Sequence, residues 1–541
     1  MNEIHRPTNV IAPSVSNGDS DSNLAGRMLW VVALIAAATN LVSMAATRLW
    51  IYPDSIDYIA LAGGIVDRFD LSNELFLVRP PGYPLMLAGI FGSFGAASPF
   101  VIMLIQHAMV VATVVLTAAI AQRLTSSRTV ALLTGVLCAC SLQTLAYANL
   151  VLTETPFALA LVACVYFLIR FLPSGQWRWL ALASAMAGVG YLFRPIGLHL
   201  LGACGLAALI HAWQSSAGGF DRLIRPAGLR RLAIGGALAV APALGVAAPW
   251  MLMNESRHHS LQGARCLDYV LYLRAVEFDG LDSATSPAMN DIHDVVDEAI
   301  ARGDLPPNAS FRDRATVIDA YRKVRGVPFA VSSGVMGRAA RDMMREHEIP
   351  IAANTIRYAY WMLLTPDPVY RFVPGGAPGV EGQKNAKAEF FDIGTYSVHG
   401  AWDDVLTQNR HYLPLSTNPA VATPAMNAAV RFFREHVDDA PAILWLLDSP
   451  YEQWMVLTIL CGLMTLMTRR RSEWLIVATV VALHVLASAF LSGPQTRYLL
   501  PVRTLLLMYG AFGLCSLMAM IAPLVTRVRQ REEASVYPHG A

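Results

Sequence analysis

Ten apolar runs, each long enough to cross a lipid bilayer as a helix, constrain the fold of this chain more than any other feature. One crossing needs about 17 to 25 predominantly apolar residues. The runs lie near 28–47, 100–121, 129–147, 154–172, 177–193, 195–213, 232–251, 450–468, 473–491 and 498–522. The fifth and sixth touch at Arg194-Pro195, which predicts a tight turn because proline interrupts helical hydrogen bonding and charge is costly in lipid. We therefore predict an all-α integral membrane protein with about ten transmembrane helices.

The composition agrees with this prediction. Of the 541 residues, 55% are hydrophobic and 15% are charged, whereas soluble domains are about one quarter charged. Six of the seven cysteines lie in apolar runs and Cys266 stands alone in a polar region, so we expect neither a disulfide framework nor a zinc site. Nothing in the composition or the net charge of +2 indicates a nucleic-acid partner.

The positions of the arginines predict the orientation, because cytoplasmic loops are enriched in Lys and Arg. With the N-terminus inside, the inside segments carry Arg123, Arg128, Arg170, Arg178, Arg222, Arg225, Arg230, Arg231, Arg469, Arg470, Arg471, Arg527, Arg529 and Arg531. The short outside turns carry only Arg194 and Arg497. We therefore expect a multi-pass protein of the bacterial inner membrane, with both termini cytoplasmic and the outer loops in the periplasm.

The same runs divide the chain into domains. The predicted parts are a disordered cytoplasmic tail (1–27), an N-terminal transmembrane module (28–251) with a long first periplasmic loop (48–99), a large mixed periplasmic segment between spans seven and eight (252–449), C-terminal transmembrane helices (450–522) and a second cytoplasmic tail (523–541).

Two further apolar stretches are too short to span a bilayer. PLMLAGIFGSFGA, residues 84–96, predicts an interfacial or re-entrant helix in the first periplasmic loop. Residues 338–364 join a charged, helix-prone half to an apolar, aromatic half. This second stretch either lies along the outer membrane surface or forms part of a small soluble subdomain, and the sequence leaves both alternatives open.

The first periplasmic loop carries a pair of acids. PDSIDYIALA, residues 53–62, places Asp54, Asp57 and Tyr58 on one face if the segment is helical. A partly desolvated carboxylate at a membrane interface can have its pKa raised toward the range useful for removing a proton. Two alternatives stay open: both acids are ordinary solvated loop residues, or they hold a divalent cation.

Arginines on the predicted outer side run against the positive-inside trend. Arg79, Arg194 and Arg497 each have a proline close behind them in the chain. The planar guanidinium group matches phosphate oxygens, so the three arginines predict a shared anion site. The alternative is that each one separately reaches lipid headgroups at a helix end.

Glu154 and a histidine pair are weaker candidates. Glu154, in NLVLTETPF, lies at the outer start of the fourth span, where it could cap a helix, hold an arginine in position or contact a sugar hydroxyl. His258 and His259 follow the seventh span, but adjacent helical residues do not share a face, so we expect no metal site there.

These pieces, in this order, resemble the GT-C superfamily of polytopic glycosyltransferases, in particular the branch of protein O-mannosyltransferases and aminoarabinose transferases. The matching pieces are PDSIDYIALA, RPPGYPLML, LTETPF, GYLFRPIGL, APWMLMN and TRYLLPV. The resemblance implies an inverting transfer of a hexose or pentose from a polyprenyl-phosphate donor to a periplasmic glycan, lipid or protein of the cell envelope. We expect no cofactor.

The resemblance also implies roles for individual residues. Asp54 would be the general base that activates the acceptor, with Asp57 as a second acid, because many relatives have Asp-Glu here whereas Ser55 follows Asp54 in this chain. The expected donor-phosphate ligands are Arg79, Arg194 and Arg497, and the expected substrate contacts are Tyr58, Tyr83, Glu154 and Tyr498.

Two other classes of protein compete with the enzyme. A transporter or flippase of lipid-linked sugars usually has ionisable residues near the bilayer midplane and repeated halves. This chain has its acids and lone arginines at the outer ends of spans and shows no repeat, which favours the enzyme. The third hypothesis is a non-catalytic membrane scaffold, whose function would not depend on Asp54.

Overall fold

The computed structural model describes residues 18–46, 49–51, 53–216, 220–259, 264–283, 285–364, 470–493 and 496–536, with isolated positions at 391–392, 405, 408–413, 465 and 468. These residues are almost entirely helical, which confirms the all-α prediction. A two-residue antiparallel pairing joins Trp50–Ile51 to Phe391–Asp392.

The helices follow one another with short connections. In chain order, α1 to α9 are Gly18–Ala46, Pro53–Arg68, Gly82–Phe94, Ser98–Thr125, Arg128–Ala139, Leu142–Tyr147, Glu154–Ser174, Trp177–Phe193 and His199–Ser215. Helices α10 to α18 are Phe220–Leu223, Pro226–His258, Ala264–Tyr272, Pro287–Ala301, Arg314–Arg325, Phe329–Glu346, Glu348–Leu364, Arg471–Ser492 and Leu500–Val536. Short 3₁₀ turns cover Glu74–Leu77, Gly95–Ala97, Pro195–Leu198 and Thr496–Leu499, and Leu273–Phe278 is a π-helical turn.

Seven helical stretches of the described residues are long and apolar enough to cross a membrane. They are Gly26–Ala45, Gly82–Thr125, Glu154–Ser174, Pro195–Ser215, Pro226–His258, Arg471–Leu491 and Arg497–Pro523. The protein is therefore a multi-pass membrane protein, although the predicted number of ten spans is not reproduced. The predicted stretch 84–96 covers most of α3 and the first two residues of the turn Gly95–Ala97 (φ 50° at Gly95), which leads into α4 within one 44-residue apolar stretch. Its interfacial or re-entrant position stays a prediction.

Three of the predicted spans are not among these seven stretches. The run 129–147 breaks into α5, of 12 residues, and α6. At this break Ser141 Oγ accepts a hydrogen bond of 2.9 Å from Nε of the buried Arg503, and Gln143 also bonds the guanidinium, so the break gives a membrane-buried charge its polar partners. The run 177–193 is α8, of 17 residues. The run 450–468 lies almost wholly outside the described residues.

The segment after α11 builds a second helical cluster outside the bundle. Helices α12 to α15 pack around Val295, Tyr321 and Met336, which are fully or almost fully buried. The stretch 338–364 divides at His347: its charged half belongs to α15 and packs in this cluster, while its apolar half forms α16. On α16, Ile349 and Ile356 are 83% and 67% exposed. The charged half thus fits the alternative of a small subdomain, and the position of the apolar half on the membrane surface stays a prediction.

Both predicted tails are partly helical. Helix α1 begins at Gly18, within the predicted tail 1–27, and α18 continues to Val536, within the predicted tail 523–541. Most of the predicted segment 252–449 beyond residue 364 lies outside the described residues.

Candidate active site

A cavity of about 630 Å³ lies where the ends of several helices meet the cluster formed by α12 to α15, which we call the outer helical cluster. Its walls come from the start of α2, the segment 78–80, the start of α7, the junction of α8 and α9, helix α12, the end of α17 and the 3₁₀ turn Thr496–Leu499. This volume is in the range of small-molecule binding sites. Seven of the nine predicted site residues line it: Asp54, Tyr58, Arg79, Glu154, Arg194, Arg497 and Tyr498.

Asp54 lies between two arginines. Its Oδ1 is 2.7 Å from Nη2 of Arg79 and its Oδ2 is 2.9 Å from Nη1 of Arg497, while 26% of the side chain is exposed. Burial alone would raise the pKa of Asp54, but the charges of Arg79 and Arg497 outweigh it and hold the pKa well below its usual range. The sequence argument for a raised pKa is therefore wrong for this state of the protein, because it did not foresee the two ion pairs.

Asp57 is also bound to Arg79, but from another side. Its Oδ2 accepts from Nε of Arg79 at 2.8 Å, one helical turn beyond Asp54. Asp57 is absent from the cavity lining. The structure therefore places Asp57 behind Arg79, where it orients the guanidinium group, and does not support the predicted role as a second catalytic acid in contact with substrate.

Arg194 is held by Glu154 and Thr153. It adopts an extended conformation at the end of α8, and its Nη1 lies 2.5 Å from Oε1 of Glu154 and 3.4 Å from Oγ1 of Thr153. Glu154, in the first turn of α7, is 2% exposed. Of the roles considered for Glu154, the geometry supports the one in which it holds an arginine in position.

Tyr498 separates two of the guanidinium groups. Its ring centroid is 4.7 Å from Cζ of Arg194 and 5.1 Å from Cζ of Arg497, and Nη2 of Arg497 donates to its hydroxyl at 3.3 Å. Such cation–π contacts favour the charged guanidinium group over an aromatic face. The ring thus keeps the two arginines apart while both face the cavity.

The two other predicted tyrosines differ in their positions. Tyr58 lines the cavity, with its ring centroid 5.4 Å from Cζ of Arg79. Tyr83 is fully buried, does not line the cavity and donates its hydroxyl hydrogen to Oε1 of Gln106 at 2.9 Å. The predicted substrate contact of Tyr83 is therefore wrong: Tyr83 packs edge-on beneath Tyr58, at 5.2 Å between ring centroids, and supports it.

Two glycines allow the arginine-bearing segments to meet. A Cβ on Gly82 would lie 2.7 Å from the carbonyl oxygen of Leu192, and a Cβ on Gly197 would lie 2.6 Å from the backbone of Gly190. Any larger residue would push α3 or the start of α9 away from the end of α8. Because Arg79 precedes Gly82 by three residues and Arg194 precedes Gly197 by three, these contacts set the spacing of the cluster.

Part of the cavity wall was not predicted. Helix α12 contributes Cys266 and Tyr269, α14 contributes Arg314, and the start of α9 contributes His199. The sequence placed the segment after α11 on the same side as the first loop, but no spacing connects residue 269 or 314 with residue 54. Among the described residues, no cluster of three or more His, Cys, Asp or Glu side chains is arranged to hold a metal ion.

Residues 78–218 match the family model described as dolichyl-phosphate-mannose-protein mannosyltransferase. This match confirms the resemblance to the protein O-mannosyltransferase branch. The matched residues include Arg79, Glu154 and Arg194, whereas Asp54 and Arg497 lie outside them. No curated protein sequence matches the chain.

Three solved structures are among those similar to this chain. The S. cerevisiae protein O-mannosyltransferase Pmt1-Pmt2 complex, bound to the sugar donor, is 16% identical over 43% of this chain and 34% of that chain, with a TM-score of 0.35. The oligosaccharyltransferase AglB from Archaeoglobus fulgidus is 12% identical over 97% of this chain and 53% of that one, with a TM-score of 0.45. ArnT from Cupriavidus metallidurans is 16% identical over 91% and 79%, with a TM-score of 0.35. The chain thus spans about a third to a half of the length of the yeast and archaeal chains.

Proposed function

We propose that this protein is a membrane glycosyltransferase that transfers a sugar from a polyprenyl-phosphate-linked donor to a glycan, lipid or protein acceptor. The observation that carries the proposal is the ion-paired cluster in one cavity: Asp54 between Arg79 and Arg497, with Arg194 beside them. The description of the matched family names dolichyl-phosphate-mannose, a donor of the proposed class, which supports the choice of donor.

The reaction needs a base and a place for negative charge. The acceptor O–H or N–H loses its proton to the carboxylate of Asp54 while the acceptor atom forms a bond to the anomeric carbon of the sugar. The bond from that carbon to the phosphate oxygen breaks, and its electron pair leaves with the polyprenyl phosphate. Attack from the face opposite the leaving phosphate inverts the anomeric configuration. Guanidinium groups around the phosphate stabilise the charge that develops on it.

The charges of the cluster indicate how the donor binds. Arg79, Arg194 and Arg497 are paired with Asp54, Asp57 and Glu154, so the six formal charges cancel. A donor phosphate adds another negative charge and needs the same guanidinium hydrogens that Asp54 occupies. In our proposal the phosphate replaces Asp54 on Arg79 and Arg497, and Asp54 turns toward the acceptor as a base whose pKa is no longer depressed.

Asp57 and Glu154 keep the arginines in place during this exchange. Asp57 binds Nε of Arg79, which is not the atom that Asp54 binds, so Arg79 keeps one ion pair when Asp54 leaves. Glu154 does the same for Arg194. Both acids are positioning residues in this mechanism, and Tyr58 and Tyr498 shape the cavity on either side of the phosphate. The arginines supply the leaving-group stabilisation, and a divalent cation held by Asp54 with Asp57 stays an alternative to that part of the mechanism.

The proposed location is the bacterial inner membrane, with both termini in the cytoplasm and the cavity in the periplasm. The distribution of arginines between the apolar runs supports this orientation. Thiol-directed labelling of a cysteine introduced at Asp319, on the surface of the outer cluster, tests it in intact cells: a membrane-impermeant reagent should react from the periplasmic side.

The proposal is tested by donor turnover in proteoliposomes. Purified protein is incubated with a panel of synthetic undecaprenyl-phosphate sugars and an extract of envelope glycans, lipids and proteins, and the release of undecaprenyl phosphate is measured. We expect release with at least one sugar, and a large decrease in donor use for Arg497→Ala. If the protein moves intact lipid-linked sugar across the bilayer and releases no undecaprenyl phosphate, it is a flippase and the proposal is wrong.

A further inference from the structure

A second polar surface faces the cavity from the outer helical cluster. It consists of Arg314, the first residue of α14, and Tyr269 of α12, both of which line the same cavity as Asp54. Cζ of Arg314 lies 4.4 Å from the centroid of the Tyr269 ring. Neither residue belongs to the ion-paired cluster of arginines and acids described above.

Arg314 is fixed more firmly than a surface arginine. Its Nε donates to Oε1 of Glu277 at 2.6 Å, and its backbone N–H donates to the same oxygen at 3.1 Å. Asp313 caps α14 by accepting from the backbone N–H groups of Ala315 and Thr316, which fixes the start of the helix. An arginine held in this way loses little further conformational freedom when it binds a ligand.

The remaining donors of Arg314 suit neutral oxygen atoms. Within the described part of the chain, the guanidinium group of Arg314 donates through Nε, to Glu277. The N–H groups of its two terminal nitrogens can therefore donate to a ligand. Glu277 already neutralises the charge of Arg314, and an anionic ligand would approach the carboxylate of Glu277 as well. Paired hydroxyl groups on one ring accept from such a planar fork without that repulsion.

Tyr269 connects this surface with the arginine cluster. Tyr269 and Arg79 line the same cavity. Burial raises the pKa of the Tyr269 phenol, and the positive charges of Arg314 and Arg79 oppose that rise. Phe329 packs against the ring at 6.0 Å between centroids and fixes its orientation. A sugar attached to a phosphate near Arg79 would therefore lie in the cavity that Tyr269 also lines.

We infer that Arg314 and Tyr269 form a carbohydrate subsite that holds vicinal hydroxyl groups of the donor sugar. The inference rests on the proposed function, and it assigns sugar selectivity to the outer helical cluster while phosphate binding belongs to Arg79, Arg194 and Arg497.

The test separates the sugar from the phosphate. Affinities are measured in detergent by isothermal titration for farnesyl phosphate and for farnesyl phosphates that carry mannose, glucose, galactose, arabinose or 4-amino-4-deoxyarabinose. We expect wild type to bind at least one of the glycosylated compounds about tenfold more tightly than bare farnesyl phosphate, the gain expected for charge-assisted hydrogen bonds. Arg314→Met and Tyr269→Phe should remove most of this advantage and leave the affinity for bare farnesyl phosphate unchanged.

Two further variants keep the test conclusive. Arg314→Lys preserves the charge opposite Glu277, and hence the fold, but loses the planar fork, so it should also lose the advantage of the sugar. Arg312→Met removes a neighbouring arginine that is absent from the cavity lining, and it should behave like wild type.

The inference is wrong if no glycosylated compound binds more tightly than farnesyl phosphate, or if Arg314→Lys retains the advantage. It is equally wrong if the variants lose affinity for bare farnesyl phosphate to the same extent as for the glycosylated compounds, because Arg314 would then act on the phosphate. Failure of wild type to bind farnesyl phosphate at all contradicts the proposed function itself, and is distinguished in this way from failure of the sugar subsite.

Discussion

Replacing Asp54 by asparagine should increase the affinity for an isoprenoid phosphate while it greatly slows sugar transfer. Asp54 occupies Nη2 of Arg79 and Nη1 of Arg497, so in wild type an incoming phosphate has to displace both contacts. Asparagine is of nearly the same size but carries no charge. The variant therefore removes the competitor of the phosphate and the proposed base in one substitution.

The magnitude follows from the two contacts. A hydrogen bond to a charged group contributes about 1.5 to 3 kcal/mol and is about twice as strong as its neutral counterpart. Asparagine has one acceptor oxygen, so it replaces one charged contact by a neutral one and loses the other, which relieves about 2.2 to 4.5 kcal/mol. We reduce this by half because the side chains are partly exposed to solvent, and the expected gain of about 1.1 to 2.2 kcal/mol corresponds to about six- to fortyfold tighter binding.

The assay is a titration of detergent-solubilised protein with farnesyl phosphate, with Asp57→Asn as the matched control. Asp57 carries the same charge and binds the same arginine, but through Nε. Its replacement should change affinity by about twofold to threefold, as for a single partly exposed ion pair. If Asp54→Asn binds no more tightly than wild type, or gains no more than Asp57→Asn, the exchange of Asp54 for phosphate is refuted.

Three further predictions concern stability and local geometry. The pKa of Asp54 is lowered in the folded protein, so its ion pairs stabilise the fold at pH values above the ordinary aspartate pKa of about 4. This stabilisation is lost as the pH falls below about 4. The difference in melting temperature between wild type and Asp54→Asn should therefore be constant from pH 8 to 5 and shrink at lower pH. Gly82→Ala forces a Cβ against the carbonyl oxygen of Leu192, so it should lower farnesyl phosphate affinity by about tenfold or more in titrations, whereas alanine at an uncrowded glycine such as position 89 should have no effect. Arg274 and Asp279 form a fully buried ion pair that joins α12 to α16 and α17, and Arg274→Met should destabilise the protein by about 3 to 5 kcal/mol in denaturant unfolding, because it leaves a buried carboxylate without its counterion; an unchanged unfolding midpoint would contradict this.

The sequence predicted the membrane helices and the main polar groups of the cavity because both depend on local patterns. Seven of the predicted spans match helices, since apolar length alone decides whether a segment can cross a bilayer. The arginines 79, 194 and 497 were recognised because they oppose the charge bias of the outer loops. Asp54 shared its helix face with Asp57, and the structure brings both acids to one arginine.

The remaining features depend on contacts between distant parts of the chain. The break between α5 and α6 follows from the buried Arg503, more than 350 residues away in the sequence. Tyr83 lies in the same predicted loop as Asp54 and Tyr58, and nothing in the local sequence shows that it is not a cavity residue. In the structure its ring packs between α3 and α4, and its hydroxyl group donates to Gln106. Arg314 and Tyr269 reach the cavity only because α12 to α15 fold as one cluster over it.

The central claim is that Asp54 removes the proton from the acceptor, and single-turnover transfer from an accepted undecaprenyl-phosphate sugar measures this directly. Wild type, Asp54→Asn and Asp57→Asn are compared in proteoliposomes at saturating donor, so that differences in donor affinity do not enter the rate. We predict that Asp54→Asn transfers about 10² to 10⁴ times more slowly, as expected for loss of a general base, and that Asp57→Asn retains most of its rate at saturation. Equal rates for Asp54→Asn and wild type would contradict the account.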